Sequence, residues 1–572
     1  MTDASAHRLH LMPQASNLGM LYPCWDMPDT QTAPAPTAAS ANAAPSETDV
    51  YAIQGADPEV LAYAMAKYSR SSLSMRESLS EISSQRAEQF LNTFYFQYGH
   101  RSIADLAHIP FAIERLSLLA AIALVDETRW DGQERSTRYQ NFRKSGWYTP
   151  ALPPAQSASF TASIEALFAG YDKVGAGMLD ALKAAIPQPA EMKDDAYVRT
   201  LKARAFDVAR YLLPLATNTS LGQIVSARTL ENQISRLLSS EFAEVRALGE
   251  KLKIAAATPA WNVQHDAARV LCAEVSSVDD QCGCRIAESL LREVKTAPTL
   301  VKYASPSEFA IASRAELRAA AAELMAGQPI DPAPVVDLVE PAGSLEIELA
   351  TSLLYPECHF SWRQLQRTVS SLPASRVAEL VALGTKHRGR HDELPRPFSA
   401  GQGFQFDILM DIGGFRDMHR HRRCVQLIQQ FTSLHGYEEP ICPGQPTLAE
   451  AGLHNLYTVA MDAAHAAYRA FANPAANPGA PFVTVPPSRV GEDATSPDAA
   501  YLLPLGTRVR AMFKMDFAEA LYIAELRSGV AGHFSYRRVA WEMYLAVARR
   551  HPALAGYFRI EDVNQPVDLL KR

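Results

Sequence analysis

The residues in this chain best suited to chemistry are four arginines and two histidines packed into residues 416–423. They follow an alternating segment, 404–412, whose pattern predicts a β-strand, so we expect the cluster near the end of a sheet. Guanidinium groups bind phosphate through paired hydrogen bonds, and a neighbouring histidine can donate to the same oxygens. The cluster therefore predicts a site for a phosphorylated ligand or cofactor, with a solvated basic face as the alternative.

A second polar cluster, residues 126–139, follows an apolar stretch at 109–125 that predicts a buried strand joined to a helical turn. It mirrors the first cluster in its position after an apolar segment. From the residues alone we favour a structural interpretation, in which Glu134 and Arg138 form surface ion pairs and Ser136 caps a turn.

Length, composition and net charge limit which kinds of protein this chain can be. The chain has 572 residues, of which 48% are hydrophobic, and a net charge of −7. The length predicts two large domains. The negative charge argues against general nucleic-acid binding, and no apolar run approaches the length of about 18 residues that a membrane span needs.

The seven cysteines are scattered, and no secretory segment accompanies them, so we expect reduced thiols and a cytoplasmic protein. Cys282 and Cys284 are separated by one residue, which is not the usual spacing of a zinc site. No metal site is predicted.

The order of elements predicts a duplicated chain. Residues 1–50 are rich in Ala, Pro, Ser and Thr and are expected to be a disordered tail. Helices are predicted at 155–186, 195–212 and 226–252. Residues 326–344 contain three closely spaced prolines and are predicted to be a linker.

An exact repeat supports the duplication. The pentapeptide Tyr-Leu-Leu-Pro-Leu at residues 211–215 recurs at 501–505, and an apolar strand precedes the polar cluster in both halves. We therefore predict one repeat at 51–325 and a second at 345–572.

Three short patterns then give a family resemblance. Residues 99–102 read Gly-His-x-Ser, residues 134–139 read Glu-x-Ser-x-Arg-Tyr, and residues 420–422 read Arg-His-Arg. In this order, with Arg210 before a Leu-Pro pair, they resemble the signature of the flavin-dependent thymidylate synthases. The first half lacks Arg-His-Arg, with Asp-Glu-Thr at 126–128 in its place. The second lacks Glu-x-Ser-x-Arg-Tyr, so each half keeps what the other has lost.

The resemblance implies an α+β fold of two tandem repeats, each a twisted, mostly antiparallel sheet with packed helices. It implies flavin-dependent transfer of a one-carbon unit from methylenetetrahydrofolate to C5 of deoxyuridylate, with FAD as cofactor and NADPH as reductant. It also implies a homodimer that forms a pseudo-tetramer with sites shared between chains. A catalytically degenerate nucleotide- or flavin-binding protein, and a flavoenzyme acting on another pyrimidine or ring acceptor, remain the alternatives.

The resemblance also assigns roles to individual residues. Those implied to be catalytic are Glu134, Ser136 and Arg138. Those implied to bind substrate are Ser136, Arg138, Arg210 and, from the second half, Arg527. Those implied to bind the cofactor are His100, Ser102, Arg228, Asn232, Arg420, His421 and Arg422. As structural alternatives, Arg210 could close a helix and Arg527 could pair with a nearby glutamate.

Overall fold

The computed structural model describes residues 55–67, 79, 87, 91, 101–341, 343–389, 392, 394–398, 403–472, 496–560, 562–566 and 568–570. The tail predicted at 1–50 lies outside this described part, and so does His100. By their contacts, Ala56–Arg572 belong to a single unit, so both predicted halves lie within it.

The N-terminal half is built on three strands flanked by helices. Its elements are α1 (Pro58–Lys67), a 3-10 turn (Arg101–Leu106), β1 (His108–Ser117), α2 (Leu118–Leu124), β2 (Asp131–Glu134), α3 (Pro154–Ala185), α4 (Asp194–Ala209), a 3-10 turn (Arg210–Leu212), β3 (Asn218–Ser226), α5 (Ala227–Leu238), α6 (Ala243–Ala257), α7 (His265–Ser276), α8 (Asp280–Leu290) and α9 (Glu308–Leu324). The strand and helical turn predicted at 109–125 are confirmed as β1 and α2.

The C-terminal half is built on four strands. Its elements are β4 (Val336–Val339), α10 (Leu345–Leu354), a 3-10 turn (Tyr355–Glu357), α11 (Trp362–Ser370), α12 (Ala374–Leu383), a 3-10 turn (Arg396–Phe398), β5 (Phe404–Asp411), α13 (Ile412–Met418), β6 (Val425–Ile428), α14 (His454–Ala472), a 3-10 turn (Pro497–Leu502), β7 (Arg508–Met515), α15 (Phe517–Ser528), α16 (Phe534–Arg550) and α17 (Pro552–Ala555). The strand predicted at 404–412 is confirmed as β5.

Both sheets are antiparallel throughout their described strands, as the resemblance implies. The first has the order β1-β3-β2 and the second β4-β5-β7-β6. β1 alternates buried Ile109 and Ile113 with exposed residues, which is the pattern of a half-buried strand. A bulge between Glu114 and Leu116 shifts this register, and Arg115 there adopts a φ of 59°.

The two halves repeat one strand-to-helix design. In each, a strand ends on a Ser or Asp side chain that caps the next helix by accepting a hydrogen bond from its first turn. The four caps are Ser117, Ser226, Asp411 and Asp516. This design brings each helix, and the residues that follow it, to a fixed end of its sheet.

A loop contact of the first half recurs in the second. The N–H of Leu118 donates to the carbonyl of Thr217 at 2.9 Å, and that of Ile412 donates to Thr507 at 2.9 Å. The acceptors are 290 residues apart and the donors 294. The turn glycines Gly146 and Gly436, also 290 residues apart, have φ values of +70° and +67°. The predicted duplication is therefore visible in the backbone.

The duplicated pentapeptides pair with each other in the core. The N–H of Leu215 donates to the carbonyl of Leu503 at 2.9 Å, and the N–H of Leu505 donates to Leu213 at 2.9 Å. All four leucines are fully buried in one apolar core that includes residues of both halves. The halves are thus joined through their most apolar repeated segment.

Two predicted segments differ in detail from the structure. The single helix predicted at 226–252 is two helices, α5 and α6. The Ser240 side chain accepts from the N–H of Phe242 at 3.2 Å, a local bond that competes with helix continuation. Within the predicted linker, β4 pairs with β5, and the domain limits remain a prediction.

Candidate functional site

The two polar clusters meet inside one chain. Arg416, in α13, donates a hydrogen bond to Glu134, the last residue of β2. Arg420 Nη1 donates to Gln133 Oε1 at 2.8 Å, and its Nη2 lies 4.0 Å from Glu134 Oε2. Because β2 belongs to the first half and α13 to the second, the Arg-His-Arg segment of one half adjoins the Glu-x-Ser-x-Arg-Tyr segment of the other.

A crevice lies between these clusters, next to the end of α2. It is lined by Ile122, Val125, Trp130, Glu134, Arg416, His419, Arg420 and Arg422. The open space inside it is about 10 Å³, enough for about one water molecule, so a larger ligand would require the lining side chains to move apart. The guanidinium carbon of Arg422 lies 5.1 Å from the centre of the Trp130 ring. An indole facing several cations suits a flat ligand that carries negative charge.

Two guanidinium nitrogens at this crevice, Arg416 Nε and Arg422 Nη2, are buried and have no hydrogen-bond partner among the described residues. Burial and the nearby Arg396 and Arg420 lower the pKa of Arg422 to about 10. An unpaired buried donor costs about 1–3 kcal/mol. These donors therefore mark where a phosphate or carbonyl oxygen would be stabilised.

Two residues that replace Arg-His-Arg in the first half, Asp126 and Glu127, form ion pairs with arginines. Arg396 donates to the Asp126 carboxylate and, at 2.5 Å, to its backbone carbonyl. Burial raises the pKa of Asp126, but Arg396 and Arg236 bring it down to about 2. Glu127 accepts from Arg236 Nε at 2.9 Å. The loss of cations at this position is thus accompanied by two ion pairs, of which Arg396–Asp126 joins the two halves and Arg236–Glu127 lies within the first half.

His419, which stands between Arg416 and Arg420 in the sequence, is a neutral ring. Its Nδ1 donates to Gln426 Oε1 at 2.6 Å, which leaves Nε2 as an acceptor. Burial lowers its pKa to about 4. The ring stacks on Phe415 with 5.0 Å between centroids. We therefore read His419 as a positioning residue for the loop at 419–423.

Two of the three arginines predicted to bind substrate meet at Tyr536 on α16. Arg138 donates from Nη1 to the Tyr536 hydroxyl at 3.0 Å and binds Asp207 through Nε at 2.7 Å. Arg527 lies over the Tyr536 ring, 5.4 Å from its centre. The two arginines come from opposite halves of the chain, and one aromatic side chain joins them.

Asp417 is the negative centre of this arginine group. Arg210, whose side chain is 2% exposed, donates to Asp417 Oδ2 from Nη1 at 3.3 Å and from Nη2 at 3.4 Å. Although burial raises the pKa of Asp417, the guanidiniums of Arg210, Arg138 and Arg527 lower it below its usual value. The carboxylate lies where an anionic ligand of these arginines would be expected.

His421 connects the Arg-His-Arg segment to this group. Arg527 Nε donates to His421 Nε2 at 2.8 Å, and His421 Nδ1 lies 3.4 Å from Glu519 Oε1. Burial lowers the pKa of His421, which favours a neutral ring. His421, which we predicted to bind the cofactor, thus orients Arg527, which we predicted to bind substrate.

Ser136 acts on the backbone, as the structural alternative in the sequence predicted. Its hydroxyl accepts from the N–H of Arg138 at 3.2 Å. Arg135 donates to Gln140 at 2.7 Å and to Ser145 at 2.8 Å, which ties down the loop that follows β2. These contacts fix the backbone from which Arg138 reaches Tyr536.

The remaining predicted cofactor residues lie at a different place. Arg228 and Asn232 are one turn apart on the partly exposed face of α5. Arg228 Nη1 donates to Asp105 Oδ2 at 3.2 Å. Ser102 lies in the same 3-10 turn as Asp105, while His100 is outside the described residues. Arg228 and Asn232 are not among the residues that line the crevice.

Sequence reasoning missed Trp130, Asp207, Asp417 and Tyr536. Two of them carried a signal: Asp417 stands inside the basic cluster, and Asp207 precedes Arg210 by about one helical turn. Tyr536 lies almost 400 residues from Arg138, and no local pattern distinguishes it. Only the packing of α16 against the first half brings it to the site.

An open cleft borders the arginine group at Tyr139. Its volume is about 380 Å³, and its lining residues are Tyr139, Asp195, Val198, Arg199, Lys202, Ala203 and Phe206. The guanidinium carbon of Arg138 lies 5.7 Å from the centre of the Tyr139 ring. The arginine group therefore has a space of ligand size beside it.

Among the described residues, no group of three or more His, Cys, Asp or Glu side chains is placed to hold a metal ion. No described helix combines the length and apolarity that crossing a bilayer requires.

Comparison with known proteins gives one family match. The model of the family described as thymidylate synthase complementing protein matches residues 52–255 and 393–553. The two matched segments together make up more than half of the chain, and each lies in one of its halves.

Two relatives match this chain over most of its length, and one solved structure matches about a third of it. A UPF0159 protein from Chlamydia pneumoniae is 26% identical over 562 residues, covering 91% of this chain and 93% of the relative. A UPF0159 protein from Thermoplasma acidophilum is 23% identical over 542 residues, covering 87% and 95%. The flavin-dependent thymidylate synthase ThyX from Helicobacter pylori, complexed with FAD and dUMP, is 17% identical with a TM-score of 0.21, covering 35% of this chain and 89% of that one.

Proposed function

Because this chain belongs to the thymidylate synthase complementing protein family, we propose that it is a flavin-dependent enzyme that transfers a one-carbon unit to C5 of deoxyuridylate. Methylenetetrahydrofolate would supply the carbon and NADPH the reducing equivalents. The observation that carries the proposal is the meeting of Arg420 and Arg416 with Glu134 inside one chain. The motif elements that each half lacks are supplied by the other at one place.

The crevice residues fit a flavin cofactor, FAD. Arg422 and Arg416 each present a buried donor without a partner among the described residues, and Trp130 offers a flat face. Arg420 is about one-third exposed and can turn toward a phosphate. His421, His100, Ser102, Arg228 and Asn232, which the resemblance assigns to FAD, are not among the described residues that line this crevice, and they would bind parts of FAD that extend beyond it. The bound flavin would supply the redox chemistry, which side chains cannot perform.

The arginine group fits the nucleotide. A uracil monophosphate carries a doubly charged phosphate, and its ring becomes nucleophilic at C5 as negative charge builds on its oxygens. Arg138, Arg210 and Arg527 would bind the phosphate and stabilise that charge, because forked guanidiniums pair with both kinds of oxygen. Glu134, buried between Arg416 and Arg420, would line the ring pocket, and Ser136 would hold the Arg138 backbone in place.

The direct test has two steps. Purified protein should take up FAD on titration and then form thymidylate from deoxyuridylate, methylenetetrahydrofolate and NADPH. It should also restore growth of a thymidine auxotroph. Protein that binds no flavin would refute the proposal. If the protein instead alkylated another pyrimidine or ring acceptor, the flavin chemistry of the proposal would stand and its substrate would be wrong.

One observation favours a second candidate, a binding protein without turnover. Asp207 and Asp417 already neutralise Arg138 and Arg210. An incoming phosphate would have to displace Asp417 from Arg210. If the enzyme assignment holds, Asp417→Asn should bind deoxyuridylate more tightly, by about tenfold for a removed like charge near the phosphate. The binding protein would be favoured if Asp417→Asn bound deoxyuridylate with unchanged affinity and the wild-type protein bound flavin but formed no thymidylate.

For assembly and location, we propose a cytoplasmic homodimer that builds a pseudo-tetramer from its four repeats. Support comes from the antiparallel pairing of Leu213 and Leu215 with Leu505 and Leu503, which relates the two repeats by an approximate two-fold axis. The contacts from Arg416 and Arg420 to the first half also indicate that each chain builds its own crevice. Sedimentation of the purified protein tests the dimer.

A further inference from the structure

A third polar group, in the C-terminal half, consists of residues that the proposed function does not use. Six of its side-chain atoms are buried and have no hydrogen-bond partner among the described residues. They are His359 Nδ1, Gln429 Oε1, Ser433 Oγ, His435 Nε2, Arg508 Nε and Arg510 Nε. More than nine-tenths of buried polar groups in proteins are paired, so six in one group require an explanation.

These residues converge from three parts of the second half. Gln429, at the start of the loop after β6, donates from Nε2 to the carbonyl of Phe360 at 3.0 Å, and its N–H donates to the carbonyl of Arg510 at 3.1 Å. The rings of His359 and His435 have centroids 6.4 Å apart. The loop is thereby fixed both to β7 and to the segment that precedes α11.

The group has one excess positive charge. Arg510 is paired with Asp407 at 3.0 Å. Arg508 has no acidic partner among the described residues, and its N–H anchors the loop by donating to Gly436 at 2.9 Å. On the His359 side, Arg318 is paired with Glu357 at 3.3 Å. The only uncompensated charge of this group is therefore the guanidinium of Arg508.

Both histidines are neutral rings. Burial, with Arg318 nearby, lowers the pKa of His359 to about 4. Burial, Arg510 and Arg508 lower the pKa of His435 to about 3. Each neutral ring carries one N–H. His435 lies near His359, Arg508 and Arg510. A net negative partner that accepts from the unpaired atoms of this group would compensate Arg508 and satisfy its donors together.

We propose that this group, Arg508 with His359, His435 and Ser433, binds a tetrahedral oxyanion, either inorganic phosphate or the phosphate of a monoester. A phosphate has enough acceptor oxygens for all four donors, whereas a carboxylate has two. The site is separate from the flavin crevice, and no residue of it takes part in the proposed reaction. The proposal therefore goes beyond the proposed function and does not depend on it.

The test is titration of the full-length protein with inorganic phosphate and, separately, with glycerol phosphate, followed by calorimetry. Arg508→Met should weaken binding at this site about tenfold or more, since it removes the charged donor. Arg376→Met removes an exposed arginine on α12 and should leave binding unchanged. Arg422→Met changes only the crevice and should leave phosphate binding at Arg508 unchanged, which separates the two sites.

A second measurement does not depend on whether Arg508→Met folds. In protein with 15N-labelled histidine, phosphate should shift two imidazole signals, and these should be missing in His359→Gln and His435→Gln. Binding of only one of the two ligands would identify the source of the phosphate group and support the site. The proposal is overturned if no histidine signal moves with either ligand, or if Arg508→Met and Arg376→Met bind phosphate equally.

Discussion

At the scale of single residues, the site is defined by which cations are compensated and which are not. Arg138 and Arg210 are paired with carboxylates, whereas Arg422 keeps a buried nitrogen without a partner among the described residues. A paired arginine must break its ion pair before it can bind an anionic ligand. An unpaired buried arginine has no such cost and is stabilised when an anion binds. We therefore expect Arg422 to contribute most to cofactor affinity among the crevice arginines.

This expectation can be measured with a matched pair of variants. Arg422→Met should weaken FAD binding about tenfold or more, because it removes a charged donor from a buried position. Arg423→Met is the control, since Arg423 is two-thirds exposed and paired with Asp516 at 2.9 Å. Flavin fluorescence titration gives both affinities. Equal affinities would exclude Arg422 from the cofactor site.

The Asp126 ion pair makes a prediction about pH. Its pKa falls from 3.8 to about 2 on folding, so the group stabilises the folded state above pH 4 and loses this effect as the pH falls toward 2. Asp126→Asn should lower the free energy of unfolding by about 2 kcal/mol at pH 7. The deficit should shrink below pH 4 in urea unfolding. The exposed control Asp266→Asn should show no such trend, and a pH-independent deficit would contradict the assignment.

At the scale of elements, the sequence predicted what depends on local pattern. The alternation in β5 and the apolar run of β1 are local signals, and the structure confirms the elements they predicted. The break between α5 and α6 was missed because it depends on the Ser240 side-chain bond to Phe242, which helical periodicity does not reveal.

A glycine in the loop after β2 tests how the site is positioned. Gly146 has a φ of +70°, and a Cβ there would meet only Asn218 at 3.4 Å, so strain rather than crowding should dominate. Gly146→Ala should therefore destabilise the protein by about 1–2 kcal/mol. Gly403→Ala, which meets nothing within 4 Å, is the control. Thermal unfolding should show a lower midpoint for the first variant only, and equal midpoints would contradict this reason.

At the scale of the whole molecule, the duplication could be predicted but the docking of its halves could not. The repeated pentapeptide indicated two copies, yet nothing in it showed that Leu213 and Leu505 pair with each other. The contact between Arg396 and Asp126 spans 270 residues of sequence. The resemblance implied sites shared between chains, whereas the contacts of Arg416 and Arg420 with the first half lie within one chain.

The central claim is that one chain supplies both halves of the site, and exchange of inactive subunits tests it most directly. Arg138→Ala and Arg420→Ala should each abolish thymidylate formation, since each removes a contact between the halves. A tagged, exchanged mixture of the two variants should remain inactive, because every chain then carries a defective site. Wild-type protein exchanged with the double variant is the control and should keep activity in proportion to its wild-type chains. Recovery of activity in the mixture of single variants would contradict the claim and show that the site is formed between chains.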